Sequence, residues 1–201
     1  MAGNAYSDKF NASVINIAAD PKKYHPVATN HFTVTFKLPE GLINQADPKK
    51  RTLKDSGLDP TLALKIANQD IQEPTLSQQK LTYKKGNLSI SFPGTIDEFN
   101  GSANFDVFVK QSAYDILYSW KLASGNHLTG EVGDPEDYWA EVDIDVTTGN
   151  KGTLVGTWRL HNVWCSQLQG VTFNNNSNET KKVTIQLSCF KPEWISGAYD
   201  D

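Results

Sequence analysis

Alternation of apolar and polar positions dominates this chain and predicts a mainly β protein. Phe32, Val34, Phe36 and Leu38 alternate with Thr33, Thr35 and Lys37, which reads as a strand with one buried face, ended by Pro39. A second strand is expected from about Leu62 to Ile71, broken by Pro74. Leu81 and Tyr83 begin a third, and Lys84-Lys85-Gly86-Asn87 interrupts it as a turn. Leu88, Ile90 and Phe92 then alternate with Ser89 and Ser91 up to the turn signal Pro93-Gly94. Phe105 to Val109 continues the pattern, with Phe108 suggesting burial on the second face as well. From Tyr138 to Thr147 the faces divide cleanly. Tyr138, Ala140, Val142, Ile144 and Val146 lie on one side, with Trp139, Glu141, Asp143 and Asp145 on the other. Beyond a turn at Gly149-Asn150-Lys151-Gly152 come Leu154, Gly156, Trp158 and Leu160, then an irregular apolar segment with Val163, Trp164 and Leu168. A polar turn spans Asn174 to Glu179, and Val183, Ile185, Leu187 and Cys189 alternate with Thr184, Gln186 and Ser188 in the last strand.

Only one segment carries a persuasive helical period. Ser112 can cap its free amides with Asp115 three residues on, and Ala113, Ile116, Leu117 and Trp120 share one face. Gly125 and Asn126 are expected to supply a left-handed stop. An apolar stripe on a lone helix covers a sheet, so seven or so strands plus this helix predict an antiparallel β-sandwich or open barrel with one packed α-helix. The expected organisation is an N-terminal arm (1–30), one β domain (31–195) containing a long polar loop (39–61), and a short tail (196–201). The loop carries the run Lys49, Lys50 and Arg51, either a solvated tip or a contact surface for a neighbouring subunit.

The 201 residues suffice for one substantial core, and a mean hydropathy of -0.47 suits a water-soluble fold. A net charge of -4 argues against a phosphate-gripping surface. No apolar run approaches the roughly 20 residues that span a bilayer, and the stretch Ser13 to Ala19 lacks the basic flank of a secretory signal, so neither membrane insertion nor export is expected. Cys165 and Cys189 then read as buried free thiols.

Catalytic chemistry finds no foothold. The four histidines (His25, His31, His127, His161) are scattered without a zinc-type spacing, and no nucleophile stands near a base. The acidic loop Asp134-Pro135-Glu136-Asp137 lacks the ordered oxygen pattern of a calcium loop. No enzymatic activity, metal or other cofactor is expected. Glu141, Asp143 and Asp145 are the one polar feature with geometric meaning. Three carboxylates on one face of a strand repel each other, so that face should be wet, either as ordinary solvated sheet or as the wall of a pore that repels DNA phosphates.

Three passages resemble the tail tube proteins of contractile-tailed bacteriophages. Asn30-His31-Phe32-Thr33-Val34 is similar to the family's first strand, and Phe99 to Trp120, before Gly125-Asn126, to its strand-to-helix passage. Gly156-Thr157-Trp158 to Trp164, Asn178-Glu179, Val183 to Leu187 and Phe190 to Trp194 resemble its closing strands. The likeness runs over roughly Asn30 to Trp194, with an enlarged loop at Glu40 to Pro60 and an extension at Ile195 to Asp201 as departures. It implies a structural virion protein, assembled in the host cytoplasm into stacked hexameric rings with a continuous β-barrel lumen. Double-stranded DNA would pass inside, with sheath, baseplate and terminator proteins as partners. On that resemblance Glu141, Asp143 and Asp145 are expected to face the lumen, and Lys49, Lys50 and Arg51 to contact the next ring. A contractile secretion or injection tube is the near alternative. A carbohydrate-binding β-sandwich that stacks sugars on Trp139, Trp158 and Trp164 is the more distant one.

Overall fold

In a computed structural model, which describes residues 28–43, 59–108, 113–148, 152–170 and 180–197, eight strands carry most of the ordered chain. These are β1 (Phe32–Lys37), β2 (Asn68–Ile71), β3 (Gln78–Lys85), β4 (Leu88–Ile96), β5 (Phe99–Asp106), β6 (Ala140–Thr147), β7 (Leu154–Gln169) and β8 (Lys182–Ser196). Four helices are interspersed among the described residues: α1 (Glu40–Ile43), α2 (Pro60–Ala67), α3 (Ala113–Ser124) and α4 (Pro135–Tyr138). Six strands form one antiparallel sheet in the order β1-β6-β7-β8-β5-β2, curved into a nearly closed barrel, while β3 and β4 pair only with each other. The mainly β architecture with a packed helix is therefore as the alternation predicts.

The concave side of this sheet is apolar. Val34 and Phe36, Val142 and Ile144, Leu160 and Val163, Ile185 and Leu187, Ala103 and Phe105 are all buried there or at its rim. Helix α3 closes the core with Ala113, Ile116, Leu117 and Trp120, the four residues that share its apolar stripe. Phe36 centres an aromatic cluster, 5.5 Å from Phe105 and 6.3 Å from Trp120 between ring centroids. The Trp120 indole N–H donates to the Tyr138 carbonyl at 2.7 Å, so the largest core side chain is also polar-satisfied.

Several local expectations give way. Residues 60–67 are helix, and only Asn68–Ile71 is strand. Asp59 accepts a hydrogen bond from the Thr61 amide and Pro60 occupies the first turn, a start signal that outweighs the β-branched content downstream. Pro60, Ala63, Leu64 and Ala67 bury one helical face, a period of three and four rather than two. The segment after Pro39 begins with helix α1 rather than loop. Pro93 and Gly94 lie within β4, where the pairing slips between Gln78 and Lys80, so the turn signal marks a bulge. Phe108 stays 43% exposed beyond the end of β5. Tyr138 closes the short helix α4, and β6 starts only at Ala140.

Gly125 and Asn126 do not adopt left-handed backbone, because positive φ among the described residues is confined to Gly86, Gly130, Gly152 and Asn162. The helix instead stops through Asn126, whose side chain accepts from the Leu128 amide at 2.9 Å while its own amide donates to the Glu131 carbonyl at 2.9 Å. The Ser112 cap, the Lys49–Arg51 run, the Asn174–Glu179 turn and nearly all of the N-terminal arm lie outside the described residues.

Candidate assembly surfaces

The outward face of the large sheet is polar across β1, β6 and the facing parts of β7 and β8, with Ile195 and Trp164 as apolar exceptions. Register sets Thr35, Asp143, Arg159 and Glu193 in one row across β1, β6, β7 and β8, and Lys37, Glu141, His161 and Lys191 in the neighbouring region. Asp143 is the hub. Lys37 Nζ lies 2.8 Å from one carboxylate oxygen and Arg159 Nε donates to the other at 2.9 Å. Thr157 donates to Asp145 at 2.6 Å, and His161 bridges Glu141 at 3.5 Å and Glu193 at 3.2 Å. Further along, Ser188 donates to Asn100 at 2.6 Å, and Asn104 reaches Asp70 at 2.8 Å.

Glu141 and Asp143 are thus interleaved with cations from both flanking strands, and Asp145 is bound by the Thr157 hydroxyl. Repulsion among them is largely cancelled, and the face is an ion-pair lattice rather than a bare acidic strip. Glu141 is exposed and Asp145 half-buried, whereas Asp143 is only 8% exposed. Burial pushes the Asp143 carboxyl up, but the Lys37 and Arg159 hydrogen bonds more than offset this and hold it below the usual aspartate range. Arg159 is raised in turn by the same hydrogen bond.

Because the folded pKa is depressed, this stabilisation is full above the unfolded value of about 3.9 and is lost as pH falls through the folded one. Replacing Asp143 by Asn should cost about 1–2 kcal/mol at neutral pH, the low end for charge-assisted bonds because the cations are solvated. Urea unfolding of both proteins at a series of pH values should show that gap constant in mildly acidic buffer and closing below the ordinary aspartate pKa. A gap that does not depend on pH would contradict the ion-pair account.

The hairpin β3–β4 stands apart from the sheet. Its two-residue turn has Gly86 at φ 59, the conformation that a turn of this length requires at its first central position. Pairing places Leu81 opposite Phe92, Tyr83 opposite Ile90 and Lys85 opposite Leu88, so one face is apolar. Thr82 opposite Ser91 and Lys84 opposite Ser89 make the other face polar. Yet Leu81, Tyr83, Leu88, Ile90 and Phe92 are 49–70% exposed. The alternation predicts burial for them, and within one chain nothing among the described residues provides it.

At the root of the hairpin lies a cleft of about 320 Å³ lined by Glu98, Tyr138, Trp139, Asn162, Trp164 and Phe190. Asn162, at φ 54, is the one non-glycine residue with left-handed backbone among those described. Leu160 is buried before it and Val163 and Cys165 after it, so Asn162 flips the alternation of β7 and turns Trp164 away from the core. The irregular apolar segment in the sequence is the trace of this flip. Of the tryptophans singled out for sugar stacking, Trp139 and Trp164 share the cleft, whereas Trp158 packs on Trp194 with centroids 5.1 Å apart. Cys165 and Cys189 are buried free thiols, pushed up by burial to about 12 and about 11.

These features make a mainly β fold that is shared with chains of contractile injection systems. A chain of the sheath–tube complex of the extracellular contractile injection system PVC in its extended state is similar at TM-score 0.60 and 16% identity, over 90% of this chain and 97% of that one. A chain of the tube-terminating cap of the anti-feeding prophage is similar at TM-score 0.59 and 17% identity, covering 86% of this chain and 93% of the other. A chain of the PVC sheath/tube terminator in its extended state gives 0.60 and 16%, over 86% and 98%. At such identities the likeness concerns the fold. No protein-family model and no curated protein sequence matches this chain.

Proposed function

We propose that this chain is the subunit of the inner tube of a contractile tail or injection apparatus, and that it works by self-assembly rather than catalysis. The observation that carries the reading is the β3–β4 hairpin, whose apolar face is open to water on a chain with a tail-tube fold. An isolated two-stranded hairpin is marginal in water, and a contiguous exposed apolar face marks a contact surface. A neighbouring copy supplies the missing cover.

Six copies would close into a ring, and rings would stack into a pipe bounded outside by a sheath and at its ends by baseplate and terminator proteins. The polar sheet face, with Glu141, Asp143 and Asp145, is suited to the lumen because it is charged, free of exposed apolar side chains along β6 and close to charge balance. Such a wall neither grips nor strongly repels a phosphate backbone. Double-stranded DNA is the cargo in a phage virion, assembled in the host cytoplasm; the likeness to injection-system chains supports a secretion or injection tube equally. Lys49, Lys50 and Arg51 are proposed as contacts to the next ring.

Sedimentation velocity across a concentration series tests this. The expected result is a species of six 22.3 kDa chains that grows into longer polymers. A monomer at every concentration would contradict the proposal.

A further inference from the structure

We infer that the aromatic cleft at the root of the hairpin is a binding site for a small organic cation with a quaternary ammonium group, of the choline type. All of its parts come from one chain, so the site does not depend on the self-assembly proposed above.

Four rings line the cleft: Tyr138, Trp139, Trp164 and Phe190. Tyr138 meets both indoles steeply, at 78° to Trp139 and 65° to Trp164, with centroids 6.2 Å and 6.3 Å away. The three rings therefore form walls rather than a flat stack. Core packing does not account for this arrangement. The left-handed backbone at Asn162 turns Trp164 away from the core, and Trp139 and Phe190 remain 43% and 73% exposed. A non-glycine residue holds that conformation at a cost, and such residues cluster at ligand clamps. The volume of about 320 Å³ falls within the range of small-molecule pockets.

Charge selects the class of ligand. Glu98 is part of the lining, and no lysine, arginine or histidine joins it among the described residues. Asp134, Glu136 and Asp137 stand on the segment that ends at Tyr138. None of these four carboxylates has an ion-pair partner among the described residues. Ring faces are electron-rich, so a cation held against them beside a carboxylate is attracted by both. A neutral sugar gains only the stacking. A primary ammonium must place three N–H donors, and the lining side chains offer few acceptors beyond Glu98, Asn162 and the Tyr138 hydroxyl. A quaternary ammonium has no donor to place. The acidic surroundings further favour a ligand of net positive charge over a zwitterion.

Isothermal titration calorimetry of the dilute protein tests this with four probes: choline, its neutral isostere 3,3-dimethyl-1-butanol, glycine betaine and maltotriose. Choline should bind about 10-fold more tightly than the isostere, in which carbon replaces the charged nitrogen, and more tightly than betaine. Glu98→Gln should weaken choline and leave the isostere unchanged, whereas Trp139→Ala should weaken both. Each substitution falls at an exposed position, and an unchanged urea midpoint shows that the variant is folded.

Equal affinity for choline and its isostere, or choline binding indifferent to Glu98→Gln, would make the cleft a plain apolar hollow and overturn the inference. So would the absence of saturable choline binding. Maltotriose bound in preference to choline would assign the cleft to sugars instead. None of these results bears on the tube reading, which sedimentation decides separately.

Discussion

Replacing Trp120 with Ala should destabilise the protein by about 3–5 kcal/mol, the range for emptying a fully buried large aromatic site. Trp120 is fully buried, packs edge-on against Phe36 and ties α3 to the end of α4 through its bond to the Tyr138 carbonyl. The change would leave a cavity between helix and sheet and strip a carbonyl of its donor. Trp120→Phe should restore much of the packing but not the hydrogen bond, and so fall between the two. Urea unfolding followed by far-ultraviolet circular dichroism measures all three proteins. A loss below about 1 kcal/mol for the alanine variant would mean that α3 is not the element that closes the core.

Removing the hairpin should abolish assembly and leave the core standing. Its two ends already meet: the Asp97 amide donates to the Ser77 carbonyl at 3.2 Å, and Ser77 Oγ donates to the Asp97 carboxylate at 3.0 Å. A short Gly-containing turn can therefore replace residues 78–96 without straining β2 or β5. Because the hairpin residues are almost all exposed, their loss removes little buried area. The melting temperature should stay within a few degrees, while the concentration for half-assembly should rise at least 100-fold. Collapse of the fold would show the hairpin to be structural within the monomer, and unchanged assembly would remove the main support for the tube proposal.

The periodicity of the sequence is faithful wherever one side of an element is buried within the chain. Phe32 to Lys37, Ala140 to Thr147 and Val183 to Cys189 all form strands whose apolar positions face the core. The helical stripe of α3 is equally direct, since Ala113, Ile116, Leu117 and Trp120 are the residues that its sheet covers. Reading failed where a local signal and the period competed. Asp59-Pro60 starts a helix that the Leu/Ile content of 62–71 disguises as strand. Pro93-Gly94 bends an edge strand that is free to bulge because nothing pairs with its far side among the described residues.

The candidate assembly surfaces were legible in part. Alternation in Leu81 to Phe92 says that a face is buried, but it cannot say that no cover for it stands among the described residues. That becomes visible only when the fold leaves those side chains in water. The acidic row of β6 could be read from sequence, whereas its neutralisation could not. Lys37 and Arg159 approach Asp143 through strand register, from more than a hundred residues upstream and sixteen downstream. The cleft left only a faint trace, the broken alternation around Asn162.

Electron microscopy of the purified protein at rising concentration, followed by reconstruction of whatever forms, tests the central claim most directly. The account predicts hollow six-fold rings that stack into tubes, with the Glu141, Asp143 and Asp145 face turned to the lumen. A field of monomers at every concentration would contradict it, as would an assembly with that polar face turned outward and no continuous bore.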